Sequence, residues 1–188
     1  MARSYTLKRR GEQQAETRKR IVEAAMALHA EVGPAQTSIS MIAERAGVQR
    51  HTVYAHFADD RSLLMACSGL HEERDPLPDA AAFRSIGDRT ERLRAGLKAL
   101  YGWFERNQQL MASVMRDAEH HPTVQEIVAL RFGPPLAAIN DALAEDLDTH
   151  QRTLLRVALS FFTWRTLTVE VGLGQKAAIK SMVQAIEG

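Results

Sequence analysis

The chain has 188 residues, of which 45% are hydrophobic, 25% charged and 6% aromatic, and its formal net charge is +1. That length can bury a real core in one large domain or two small ones, and the apolar content excludes a disordered or collagen-like chain. The single cysteine, Cys67, excludes an intrachain disulfide and a cysteine-built zinc site.

No apolar run approaches the ~20 residues of a membrane helix, and the N-terminus is polar and basic where a signal peptide would be apolar. The expectation is a cytoplasmic, helix-rich protein without a membrane partner. The near-neutral total hides an asymmetry. Residues 1–20 carry seven Lys and Arg against Glu12 and Glu16, a net +5, whereas residues 21–65 carry −2 and the remainder −2. A basic flexible arm is therefore expected over residues 1–14. On charge alone such an arm suits a phosphate backbone or a solubilising tail equally well.

In chain order, the first helical pattern runs from about Ala15 to Glu31, with Ile21, Ala24, Ala25 and Leu28 on one face and Gly33-Pro34 as its stop. Ser38 is the expected N-cap of a short helix Ile39–Ala46. Met41 stands where a reciprocal capping box would need an acid or glutamine. Gly47 and Val48 form a tight link to a third short helix ending at His56, and Asp59 caps a fourth that reaches about His71. Asp75-Pro-Leu-Pro-Asp-Ala80 is a breaker segment. A long helix is predicted from Asp88 to Met115, and another from Pro122 to Phe132. Gly133-Pro-Pro135 predicts a break or kink before Leu136–Leu147. Strongly apolar Gln151–Val171 and a final helix Gln175–Ile186 follow. There is no strand alternation and no repeat.

Three short helices behind a basic arm suggest a helix-turn-helix. Gly47 suits the tight turn, Ala43 the close helix crossing, and Ile42, Val48 and Phe57 the small core. The second helix of the pair offers Gln49, Arg50, His51, Thr52, Tyr54 and His56, polar groups suited to a major groove. Composition and spacing alone would also fit another small three-helix bundle.

Residues 37–57, Thr-Ser-Ile-Ser-Met-Ile-Ala-Glu-Arg-Ala-Gly-Val-Gln-Arg-His-Thr-Val-Tyr-Ala-His-Phe, carry a more specific signal. They resemble the signature of the tetracycline-repressor-like (TetR/AcrR) family of bacterial transcriptional regulators, and Ile21–Gly33 and Asp60–Leu64 extend the likeness. The resemblance covers about residues 15–65. It implies an all-α fold in which a helix-turn-helix domain, residues 15–65, precedes a helical ligand-binding and dimerisation domain, residues 66–188. The implied function is a homodimeric regulator, a repressor released from a palindromic double-stranded DNA operator by a small apolar or amphipathic ligand. It further implies backbone contacts for Tyr54 and His56, and base or phosphate contacts for Gln49, Arg50, His51 and Thr52.

Ser38 and Ser40 sit where free helix amides can hold a phosphate. Lys8 to Arg20, Arg18 among them, form the expected phosphate and minor-groove element. Two positions depart from the family. Asp60 stands where a phosphate-binding lysine is common, so either Arg61 substitutes or affinity leans on the arm. His29 replaces a common phenylalanine, which suggests a more open edge of the first-helix core.

The remainder shows no catalytic constellation, and neither an enzyme nor a cofactor is expected. Adjacent His120 and His121 point in different directions on a helix and are not read as metal ligands; Ser160 has no nucleophile context. Tyr101, Trp103, Phe104, Asn107, Met111, Met115, Arg116, Phe161 and Trp164 are the candidates for lining a ligand cavity. The large apolar ones among them could equally be core. Leu155, Ala158, Phe162 and Leu173 are the candidates for the dimer interface, with internal packing as their alternative. A helical protein that binds a small molecule and acts by sequestration or protein–protein contact is the rival reading.

Overall fold

The computed structural model describes the backbone from Ala2 to Gly188 and the side chains from Arg9 onward. The expected contributions of Arg3 and Lys8 to the basic arm lie outside the described side chains. The described residues form an all-α fold of α1 (Ala2–Glu31), α2 (Ile39–Ala46), α3 (Arg50–His56), α4 (Asp60–Arg74), α5 (Ala81–Arg84), α6 (Arg89–Arg106), α7 (Gln108–Ala118), α8 (Pro122–Leu143), α9 (Thr149–Ala158), α10 (Phe161–Arg165) and α11 (Gln175–Glu187). A 3-10 turn, Pro34–Gln36, precedes α2, and a π-helical stretch, Thr166–Glu170, follows α10.

Four stretches differ from the expectations of the sequence. α1 begins at Ala2, so residues 2–14, expected as a flexible arm, have helical backbone. From Arg9 to Glu16 all the side chains are exposed, and no glycine-proline stop of the kind that ends the helix at Gly33 interrupts them. The long helix expected from Asp88 to Met115 is two helices. At Asn107, where the backbone leaves the helical region (ψ 13°), the side-chain amide joins the residue's own N–H on the Trp103 carbonyl, at 2.9 and 3.1 Å, and caps the end of α6.

Conversely, Pro134 and Pro135 lie inside α8 and do not break it. The carbonyls one turn before the prolines belong to Leu130 and Arg131, which lie on or near the surface, so the missing proline N–H groups strand no deeply buried acceptor. The apolar run Gln151–Val171 is divided because Ser160, in extended conformation, accepts the Phe162 N–H at 3.2 Å and starts a new helix.

The chain forms two compact units. One comprises Met1–Asp75 and Ala112–Val128, the other Pro76–Met111 and Ala129–Gly188. The first unit therefore includes a segment that the expected boundary at residues 65 and 66 left in the second domain. Its apolar core is aliphatic: Ile21, Ala25, Leu28, Ile42, Val53 and Leu63 are all buried, with Phe57 as the one phenyl ring among the described residues of the cluster. The core of the second unit is aromatic. Trp103 meets Phe104 and Phe132 edge-on at 5.9 and 5.8 Å, and Phe104 in turn meets Phe161 at 5.5 Å. Buried Tyr101 donates its hydroxyl to the Ala158 carbonyl at 2.9 Å. Buried Arg92 is held by the Ile86 and Glu145 carbonyls at 2.9 and 3.1 Å.

Candidate nucleic-acid interface

The site is built from α2 upward. Ser38 adopts the extended backbone of an N-cap, and its hydroxyl oxygen accepts the Met41 N–H at 3.2 Å. Ile42, Ala43 and Ala46 face the core from α2. Gly47 then takes the left-handed conformation, φ 64°, and Val48 N–H reaches back to the Ala43 carbonyl at 2.9 Å. This six-to-one closure ends the helix and turns the chain within two residues, in a conformation that costs a side-chain-bearing residue more than glycine.

α3 follows with Gln49 as an extended N-cap that makes no side-chain cap bond. Only Val53 in α3 is buried, and with Phe57, one turn on, it anchors the helix to the core. The helical period then turns the remaining side chains outward. Gln49, Arg50, His51 and Tyr54 are exposed, Tyr54 at 53%, while Thr52 and His56 are half-buried. Ser38 and Ser40 are exposed as well. The structure thus brings the predicted helix-turn-helix residues into one capped, outward-facing element.

The basic residues divide. The Arg18 guanidinium lies 4.7 Å from the centroid of the Phe57 ring, a cation–π contact that ties α1 to the end of α3. Arg20 donates to the Ala46 carbonyl at 3.2 Å, one of the orphan acceptors at the end of α2. Arg61 is paired: its Nε and Nη2 donate to Glu126 Oε1 at 3.0 and 2.7 Å. The Arg61 hydrogen bond holds the Glu126 carboxyl below its usual pKa. Asp60 occupies the first turn of α4, where a negative charge favours the helix dipole. Beside it, the Asp59 carboxylate accepts the Ser62 N–H at 2.7 Å in a full capping box.

Sequence reading missed a second support. Ser113 and, one turn on, the adjacent Arg116 and Asp117 of α7 satisfy backbone groups at the end of α1 and in the following turn. Ser113 donates to the Ala30 carbonyl at 3.1 Å, Arg116 to the Val32 carbonyl at 2.8 Å, and Asp117 accepts the Ala35 N–H at 2.9 Å. Arg116 Nε also donates to Asp117 at 2.8 Å. Gly33, at φ 98°, leaves room for this clasp; a Cβ there would overlap Arg116 Nη2 and Asp117 Oδ2. The one local signal was the 113, 116, 117 spacing, a polar row on an amphipathic helix.

His29 lies beside the clasp and is buried, not at the open edge expected of it. Burial lowers its pKa to about 4, with the nearby Asp117 charge pulling the other way. The imidazole is thus a neutral core group at pH 7. Burial likewise pushes the Cys67 thiol up to about 12.

The candidate ligand residues are split. Tyr101, Trp103, Phe104, Asn107, Met111, Phe161 and Trp164 are buried in the second unit, where the rings pack on one another. Met115 and Arg116 belong to the first unit, and Arg116 is committed to Val32 and Asp117. Of the candidate dimer residues, Leu155 and Ala158 are fully buried within the chain and offer no surface to a second copy. Leu173 is half-buried, and Phe162 is 47% exposed. No group of three or more His, Cys, Asp or Glu that could hold a metal occurs among the described residues.

Residues 21–67 match the sequence profile described as bacterial regulatory proteins, tetR family. The chain is 26% identical over 147 residues to the HTH-type transcriptional activator FasR of Mycolicibacterium smegmatis, a match spanning 77% of this chain and 67% of that protein. It is 40% identical over 76 residues to the HTH-type transcriptional regulator TtgR of Pseudomonas putida, spanning 40% of this chain and only 36% of the relative. Among solved structures, the transcriptional regulator FadR of Bacillus subtilis, in complex with stearoyl-CoA, superposes with a TM-score of 0.63 at 18% identity, over 89% of this chain and 96% of that one.

Proposed function

The chain belongs to the tetR family of bacterial regulatory proteins, and from that premise we propose that it works as a homodimer bound to a palindromic operator and released by a small ligand. Its general class is a sequence-specific, helix-turn-helix, DNA-binding transcriptional regulator rather than an enzyme. No helix among the described residues is long and apolar enough to cross a membrane.

The observation that carries the reading is the outward polar row of α3 on a capped and glycine-turned scaffold. In the proposal α3 enters the major groove, with Arg50, His51 and Gln49 toward bases or phosphates and Tyr54, Thr52 and His56 toward the backbone. Ser38 and Ser40 add phosphate contacts at the start of α2. Arg18 and the exposed basic residues before it supply sequence-independent attraction. Arg61 contributes only by leaving Glu126.

Exposed Phe162 supports self-association better than the fully buried Leu155 or Ala158 does. Phe162→Asp is expected to raise the dimer dissociation constant. The helical part of the chain, residues 66–188, is proposed to hold the ligand, a role supported by the stearoyl-CoA bound to FadR. We propose repression as the output; since FasR is named an activator, a transcription assay with and without the operator reads the sign.

Selection of bound sequences from a random DNA pool tests the whole reading. The expected product is a palindrome whose half-site centres lie roughly 34–36 Å apart or a multiple of that. A pool that stays random would overturn it.

A further inference from the structure

The second unit carries two adjoining open cavities, of about 550 and 430 Å³, that share Asn140, Asp141 and Arg156. They are of the size that holds a metabolite, and they lie apart from the packed ring cluster. The larger is walled by three guanidinium groups, Arg84, Arg152 and Arg156, against the carboxylates of Asp141 and Glu145.

The two carboxylates are already engaged. Asp141 accepts the Asn140 amide N–H at 3.4 Å, and Glu145 lies 3.8 Å from buried Arg92. Arg152 spends its Nε on the Leu147 carbonyl at 2.8 Å. Arg84 and Arg156 are exposed, and neither makes a hydrogen bond or ion pair with the described residues. Asn140 Oδ1 is buried and accepts no hydrogen bond, a state that costs free energy until a donor arrives. The smaller cavity continues from Asn140 along Leu136, Ala137 and Leu159.

We propose that these cavities are one binding site for a small amphipathic organic anion bearing a hydroxyl group. Arg84 and Arg156 hold its anionic group through charge-assisted hydrogen bonds. Its hydroxyl donates to Asn140 Oδ1 once the Asn140 side chain turns that buried atom into the cavity, and its aliphatic part lies along Leu136, Ala137 and Leu159. This assigns a chemical class to the ligand of the release mechanism proposed above and rests on that mechanism for its effect on DNA.

Calorimetric titration of the full chain with sodium 3-hydroxyoctanoate tests the site. Saturable binding, one per chain, is expected. The methyl ester, which lacks the charge, should bind roughly tenfold more weakly or worse, as should the acid to Arg84→Gln or Arg156→Gln. Sodium octanoate, which lacks the hydroxyl donor, should bind several-fold more weakly. Melting temperatures of the unliganded variants should match the parent, which separates lost contacts from lost fold. Equal binding of acid and ester, unchanged binding by both arginine variants, or inorganic phosphate binding as tightly as 3-hydroxyoctanoate would overturn the site.

Operator binding measured on the same samples separates the two proposals. Binding at the arginines without operator release supports the site and defeats the release mechanism. Operator release by a neutral apolar compound, unaffected by either arginine variant, keeps that mechanism and removes this site from it.

Discussion

The two units are held together by different chemistry. The N-terminal one has a small aliphatic core, and its edges are fixed by polar contacts to the backbone: Ser38 and Asp59 as caps, Arg20 on the end of α2, and the Ser113, Arg116 and Asp117 clasp. The C-terminal one relies on contacts between rings, with Trp103 and Phe104 at their centre. A small core fixed by directional bonds can hold a short helix in a defined orientation, which suits a reader of DNA. A unit that carries open polar cavities as well as a packed aromatic core suits reversible occupancy.

Substitutions test this contrast. The largest loss is expected in the aromatic core: Trp103→Ala should destabilise by ~3–5 kcal/mol through a cavity that its edge-on partners cannot fill, read by chemical denaturation. A near-neutral result would mean that the rings are not the main support. Titration of His29 comes next. Its pKa is about 4 when folded and 6.5 when free, so between these values the unfolded chain binds more protons. Stability is then fully present above pH 6.5 and falls as pH drops toward 4, by about 3 kcal/mol in all. His29→Phe should flatten that part of the stability–pH curve, and an unchanged slope would show that the imidazole does not carry it.

Asp117→Ala should cost a smaller ~1–3 kcal/mol, because it strands the Ala35 N–H and unpairs Arg116. It should also weaken operator binding by loosening the turn before α2. Retained operator affinity in a destabilised variant would confine the clasp to folding. The smallest effect is expected from Glu126→Gln. An exposed ion pair contributes little to stability, so the melting temperature should barely move, while freeing Arg61 should steepen the salt dependence of DNA binding.

The same contrast explains what the sequence disclosed. The N-terminal unit was legible because its devices are local. A cap lies three residues from the amide it binds, a left-handed turn needs Gly47, and one buried residue per turn, Val53 then Phe57, fixes which side of α3 faces out. The all-α architecture and the start of α8 at Pro122 were readable for the same reason. Asp117 was not, because its partner Ala35 is 82 residues away. His29 read as a sign of an open edge, yet non-local packing buried it. In the C-terminal unit, helical periodicity could not distinguish a ring that lines a cavity from one that fills the core. It also could not show that Leu155 and Ala158 point inward while Phe162 points out. The breaks at Asn107 and Ser160 fall inside continuous apolar periodicity, which hides even a local signal such as the Ser160 cap on the Phe162 N–H.

The central claim, that the exposed row of α3 reads DNA sequence, is tested most directly with Arg50→Ala. Its affinity and that of the parent should be measured on the selected operator and on operators changed at single base pairs, at two salt concentrations. A loss of ~1–3 kcal/mol on the selected operator is expected, with an unchanged melting temperature. The penalty should shrink at one base-pair position if Arg50 reads a base, or be uniform with a shallower salt slope if it holds a phosphate. Parent-like affinity, specificity and salt slope in Arg50→Ala would contradict it.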